Sequence, residues 1–314
     1  MQHHHGDGDG VENLVLWLGS NNALGTIVRM GIKRTADSPT RPLAMTFDER
    51  NTFNLWSPED FKAEFNQLME KVHEILVAGK CPCNVFVGTV PPVTIAPLAR
   101  GVGQEQVVTP DPFGVLPQAK YYERYTYFLF DLEYARRTQN SLSFNEAFEI
   151  DTAIAQYNDT IRQAVSSYNT KRKPRGGQTI NYVLVDIAKQ LLQLAFKRND
   201  GKPLYVLPPA LQGYVDTTGR PVNTVYYNVD RLGRMLSGGI FSLDGVHPTA
   251  IGHGLIAHEF LQEMRNAKVK VVRDLDWNTI VASDSLYTNP ITLMPELYDN
   301  TRLAEMILDL LRLP

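Results

Sequence analysis

Apolar positions fall in two rhythms along the chain. Asn13 to Leu18 (NLVLWL) is a short unbroken apolar run that stops at Gly19, which predicts a buried strand feeding a loop. Ser57-Pro58-Glu59-Asp60 predicts a helix start, with serine as N-cap, proline at the first helical position and acids in the first turn. Behind it Phe61, Phe65, Leu68, Met69, Val72, Ile75 and Leu76 recur at steps of three and four, one apolar helix face closed by Gly79. Asn84 to Val90 (NVFVGTV) and Tyr182 to Val185 (YVLV) predict two further buried strands. Helices are predicted from about Phe144 to Tyr168, through Leu191, Leu192 and Leu194, from Thr249 to Arg265, and from Pro295 to Leu313. Such alternation predicts an α/β fold: a mostly parallel sheet covered on both faces, with functional residues in the loops after strand ends.

Two stretches break the alternation. Residues 102–142 hold a Pro/Gly-rich portion and then Tyr121, Tyr122, Tyr125, Tyr127, Phe128, Phe130 and Tyr134. They read either as a lid or apolar substrate wall, or as an inserted helix that packs its aromatics inward. Residues 268–314 follow the last motif and read as an appended helical extension. The expected division is a tail over 1–10, a main domain over 11–267 and that extension.

The 314 residues are enough to bury a sizeable core. A net charge of −3 gives no electrostatic reason to expect nucleic acid or an anionic membrane surface as partner. The basic run Lys171 to Arg175, followed by Gly176-Gly177, reads as a solvated loop. No apolar stretch reaches the length of a membrane-spanning helix, Met1 to Gly10 lacks the features of a secretory signal, and nothing fixes the compartment. The two cysteines, Cys81 and Cys83, are too few for a disulfide framework and read as reduced thiols near a strand start. His3, His4 and His5 belong to the tail.

Chemistry concentrates in two segments. In Phe241-Ser242-Leu243-Asp244-Gly245-Val246-His247-Pro248-Thr249, an aspartate and a histidine stand three apart in a loop ahead of a helix. His247 is suited to take a proton from a hydroxyl and return it to a leaving group, while Asp244 fixes its tautomer and stabilises the imidazolium. In Leu16-Trp17-Leu18-Gly19-Ser20-Asn21-Asn22, an apolar strand ends in Gly-x-Asn, where an asparagine amide can donate to a developing oxyanion. Each segment alone is also what an ordinary turn or cap provides.

Together and in this order they resemble the SGNH (GDSL) hydrolase family, whose third block is a strand followed by G-x-N-D and whose last is D-x-x-H-P before a helix. Gly252 and Leu255-Ile256-Ala257 fit the helix after the family's histidine. Phe86 to Pro92 resembles its intervening strand and loop, and Tyr157-Asn158 with Ile161 its N-x-x-I helix. The resemblance covers roughly residues 11–265 and is firm at the two ends. It implies a flavodoxin-like three-layer α/β/α fold and ester hydrolysis by a Ser-His-Asp triad. His247 and Asp244 are the implied catalytic pair, with Asn21 and Gly19 at the oxyanion site, and no cofactor or metal. The implied partner is a small ester.

The family's nucleophile belongs to a Gly-Asp-Ser-Leu segment on a first strand before Gly19, and no such segment stands here; the G-x-N-D block also ends in Asn22. The expectation is a chain that starts too late, lacking on the order of a hundred residues, with little or no hydrolysis and self-association through an uncovered sheet edge. Ser285, in Ala282-Ser283-Asp284-Ser285-Leu286, is a weak candidate for a permuted nucleophile, and Ser20 a weaker one. A non-catalytic ligand-binding relative is the alternative. His253 and His258 read as surface or packing histidines, His73 has no visible partner, and Asp186 is either near the site or a helix cap.

Overall fold

Three of the apolar runs pair side by side, as their β-branched and aromatic content requires. In the computed structural model, which describes residues 10–79, 81–170, 179–270 and 272–292, strands β1 (Asn13–Leu16), β2 (Cys83–Gly88) and a later strand, Ile180–Val185, form a parallel sheet with β2 in the centre. Val85, Phe86 and Val87 of β2 are completely buried, the continuous apolar pattern of a central parallel strand. The first strand ends two residues early because Gly19 turns the chain with φ +122°; Trp17 leaves the sheet and donates its Nε1 hydrogen to the carbonyl of Thr89 at 3.0 Å. A Cβ at Gly19 would come within 2.7 Å of Val90 Cγ2, so this turn needs glycine.

The remaining elements follow in chain order. Helices α1 (Asn21–Arg29), α2 (Phe47–Arg50) and α3 (Pro58–Val77) lie between β1 and β2. Ser57 caps α3 by accepting from the amide of Asp60, and Phe61, Phe65, Met69, Val72 and Leu76 are buried along one face, as the periodicity predicts. After β2 come β3 (Ala99–Val108), β4 (Ala119–Tyr127), α4 (Leu132–Arg137), β5 (Leu142–Ser143) and α5 (Phe144–Thr170). The strand Ile180–Val185 is β6, followed by α6 (Ile187–Leu194), α7 (Pro209–Thr218), β7 (Asn228–Val229), β8 (Met235–Ser237), α8 (Ala250–Asn266), α9 (Trp277–Ser283) and α10 (Ser285–Thr288). The chain is thus α/β with a small parallel sheet. The expected helix over Pro295 to Leu313, the basic run and the histidine tail lie outside the described residues. No helix among the described residues is long and apolar enough to cross a membrane.

Residues 102–142 are not mainly an inserted helix; they supply most of an antiparallel sheet of β3, β4 and β5, and only the short α4, with Tyr134 buried, is helical. Aromatics on both faces of β4 obscure its alternation, yet the inward positions Ala119, Tyr121 and Tyr125 are buried at two- and four-residue steps. Behind them sits Arg198, whose side chain and that of Asp151 have no exposed surface. Arg198 donates to Asp151 Oδ2 at 2.9 Å, Thr94 Oγ1 at 2.6 Å, Tyr125 Oη at 3.1 Å and the Lys120 carbonyl at 3.0 Å. Asp151 also accepts from Thr94 at 2.6 Å and Tyr121 at 2.7 Å, while the guanidinium lies 3.9 Å from the Tyr121 ring centroid. The antiparallel sheet is therefore fastened to α5 through a buried ion pair.

The segment after α8 shares the main core: Trp277, Val281 and Tyr287 are buried within it. Asp284, itself buried, accepts from the amide of Ile251 at 3.0 Å and that of Tyr287 at 3.2 Å, so one carboxylate caps the starts of α8 and α10. Cys83 is buried and Cys81 partly so, both as free thiols; burial pushes the Cys83 thiol up to about 11. His73 does have a partner, the Tyr182 hydroxyl at 3.0 Å.

Candidate functional site

The Asp244–His247 turn is closed by short-range bonds that its spacing makes available. Asp244 Oδ1 accepts from the amides of Val246 at 2.8 Å and His247 at 2.9 Å, and from the Ser242 hydroxyl at 2.6 Å. Its Oδ2 lies 2.6 Å from His247 Nδ1. Burial would raise the Asp244 carboxyl, but the donors from Ser242, His247 and the two amides outweigh it and hold the group well below the usual carboxylate range. An ionised Asp244 on Nδ1 leaves His247 Nε2, free of any partner among the described residues, as the atom that can accept a proton. The side chains are 74% and 50% exposed, so the pair meets solvent and incoming ligand alike.

The turn is braced from behind. Gly245 has φ +67°, and a Cβ there would approach the Leu98 amide nitrogen to 2.7 Å and the Tyr226 ring to 3.0 Å. The Leu98 amide donates to the Gly245 carbonyl at 3.0 Å, the Tyr226 hydroxyl to the Leu243 carbonyl, and Phe128 stacks on Tyr226 with centroids 3.5 Å apart. Leu98 belongs to the loop after β2, whose carbonyls at Thr94 and Ala96, with that of Ala99 at the start of β3, accept from the Lys197 amine. Asn158 on α5 bonds both the amide and the carbonyl of Val90, at 2.7 and 2.8 Å, where that loop begins. The motif residues Tyr157-Asn158 are therefore buried struts, not surface groups.

On the other side of His247 opens a cavity of about 270 Å³, and it brings together two of the predicted site residues, His247 and Asn21, with Asp244 behind the imidazole and outside the lining. Its lining includes His247, Asn21 and Ser20, together with Trp17, Leu24, Ile95, Leu191 and Ile256. Ser20 and Asn21 begin α1, and their backbone amides have no acceptor among the described residues, so the helix start presents free donors beside the Asn21 side chain. Gly19 sets this corner without lining the cavity. His253, read from sequence as a surface or packing histidine, is exposed on the first turn of α8 and faces the same cavity; its spacing of six from His247 hides this, because Pro248 redirects the chain between them.

Other candidates lie elsewhere. Ser285 opens α10 as an exposed residue outside the cavity lining. Asp186 caps α6, accepting from Lys189 at 3.2 Å and from the Thr89 hydroxyl at 2.9 Å, and does not line the cavity. His258 contacts Gln262 at 3.2 Å. Among the described residues no group of three or more His, Cys, Asp or Glu could hold a metal ion. The support that Ser242 lends Asp244 went unread in the sequence, where a serine two residues ahead of an aspartate is an ordinary turn pairing.

Comparison of the chain with known families, with characterised proteins and with solved structures gives no match.

Proposed function

We propose that this cavity is the site of an SGNH-type ester hydrolase, with His247 as general base and acid, Asp244 as its orienting carboxylate, and Asn21 with the α1 amides as oxyanion donors. The observation that carries the reading is convergence: two segments more than two hundred residues apart bring an Asp-oriented imidazole and an oxyanion-type donor set to one apolar cavity. The parallel order β1–β2–β6, with α3, α5 and α8 in contact with β6, is compatible with the three-layer arrangement the resemblance implies. Ser20 is the serine in the cavity lining and is the hydroxyl this reading assigns to attack. Because Ser20 is not hydrogen-bonded to His247, turnover is expected to be slow; catalytic contacts of this kind often tighten only with substrate bound.

That missing bond also favours a second reading, a binding relative without turnover. A fluorophosphonate probe followed by peptide mapping separates the two. An adduct at Ser20, with p-nitrophenyl ester hydrolysis that falls at least about 10²-fold in His247→Ala, supports the hydrolase. An adduct at Ser285 instead makes that residue the nucleophile and removes Ser20 from the reading. A folded protein with no adduct and no His247-dependent turnover overturns catalysis and leaves the binding relative.

A further inference from the structure

The lining of the cavity carries information beyond the dyad. Twelve of its sixteen residues are apolar, and the four polar ones, Ser20, Asn21, His247 and His253, come from only two places, the start of α1 and the Asp-His turn with the first turn of α8. Among the described residues no carboxylate, lysine or arginine lines it. A charged or polyhydroxyl group placed against the wall would lose its hydration without a partner, which is costly. The wall is instead contributed by Trp17, Leu24, Ile95, Leu191, Phe241 and Ile256, a surface that gains free energy only by covering hydrocarbon.

We propose that this cavity binds the unbranched aliphatic chain of a medium-chain ester, with about eight to ten carbons against the apolar wall and the carbonyl between Asn21 and His247. The proposal rests on the hydrolase reading for the placing of the carbonyl, but the apolar chain would be held without any catalysis. The length follows from volume. A dry cavity of about 150 Å³ holds six carbons as benzene, so about 270 Å³ corresponds to roughly ten. The alcohol portion of the ester stays outside the wall.

Trp17 supplies the readout, since its ring lines the cavity while its Nε1 is fixed on Thr89. The whole chain is titrated with 1-butanol, 1-hexanol, 1-octanol and 1-decanol, following tryptophan emission and heat. Each added methylene is expected to tighten binding about fourfold until the cavity is full, with a plateau by decanol. The emission change is expected to vanish in Trp17→Phe while the heat remains. Leu24→Trp, at a partly exposed position on α1, narrows the cavity and should move the plateau to a shorter chain. Affinity independent of length, or a length dependence that Leu24→Trp leaves untouched, overturns the proposal. The same comparison with p-nitrophenyl butyrate, octanoate and dodecanoate separates the two readings. Alkanol binding with the expected plateau but no His247-dependent hydrolysis sinks the hydrolase and keeps the aliphatic cavity. Hydrolysis with equal kcat/KM for all three esters sinks the cavity proposal and keeps the hydrolase.

Discussion

Replacing Arg198 by methionine tests the claim that a buried ion pair fastens the β3–β5 sheet to the layer carrying the site. Met fills most of the aliphatic stem but leaves the Asp151 carboxylate, with no exposed surface, holding only the Thr94 and Tyr121 hydroxyls. Breaking one side of such a pair costs about 3–5 kcal/mol, because the surviving charge has lost its partner without regaining water. Unfolding entropy is about 2.1 cal/mol/K per residue, or roughly 0.65 kcal/mol/K over a chain of this length. The expected fall in Tm is therefore roughly 5–8 °C, read by calorimetry or far-UV circular dichroism. The double variant Asp151→Asn/Arg198→Met removes the stranded charge and should recover at least half of the loss. A single variant within about 1 °C of the parent, or a double variant no better than Arg198→Met, would show that the pair does not hold the sheet as argued. Thr94 belongs both to this network and to the loop behind the site, so Arg198→Met should also weaken alkanol binding modestly.

Two further outcomes follow from the Asp-His turn. Gly245→Ala forces a Cβ against the Leu98 backbone and an unfavourable positive φ, and is expected to cost about 2–4 kcal/mol in urea unfolding; a loss under about 0.5 kcal/mol would mean the turn is not braced by Leu98. Asp244, with its folded pKa depressed, contributes stability that is present above the unfolded value near 3.9 and is lost only as pH falls through the lower folded value. Its carboxyl carbon resonance should consequently stay constant from pH 7 to about 3.5, and a titration midpoint near 4 would contradict the hydrogen-bond set drawn around it.

Much of the α/β core was legible because its signals are local. Ser57-Pro58 with acids behind it can do little but start a helix, and the unbroken run at Val85, Phe86 and Val87 suits only a strand buried on both faces. The aromatic stretch was misjudged because Tyr121 and Tyr125 face inward while Tyr122 occupies the other set of positions and Thr126, on that set, is buried too, which erases the period of two. What drew them in was Arg198, more than seventy residues away, a partner that no local window contains. In the site, Asp244 and His247 were readable from spacing, since three residues of turn suffice to join them. Their meeting with Asn21 depends on where β1 and the Asp-His turn lie in space. His253 enters the cavity for the same reason, through the angle at which α8 leaves Pro248.

Asp284 has a consequence for how the molecule comes apart. Its single negative charge serves the positive ends of two helices, and one of them, α8, starts three residues after His247. The short helices beyond residue 276 thus act as a counter-charge for the helix that follows the Asp-His turn, rather than as a separable appendage. Thermodynamically the two regions share one ledger: loosening the Asp284 corner exposes the first amides of α8 and the Trp277 contact together. Protection of the Ile251 amide against hydrogen exchange is in this sense a gauge of the last described turn of the chain, read from beside the site itself.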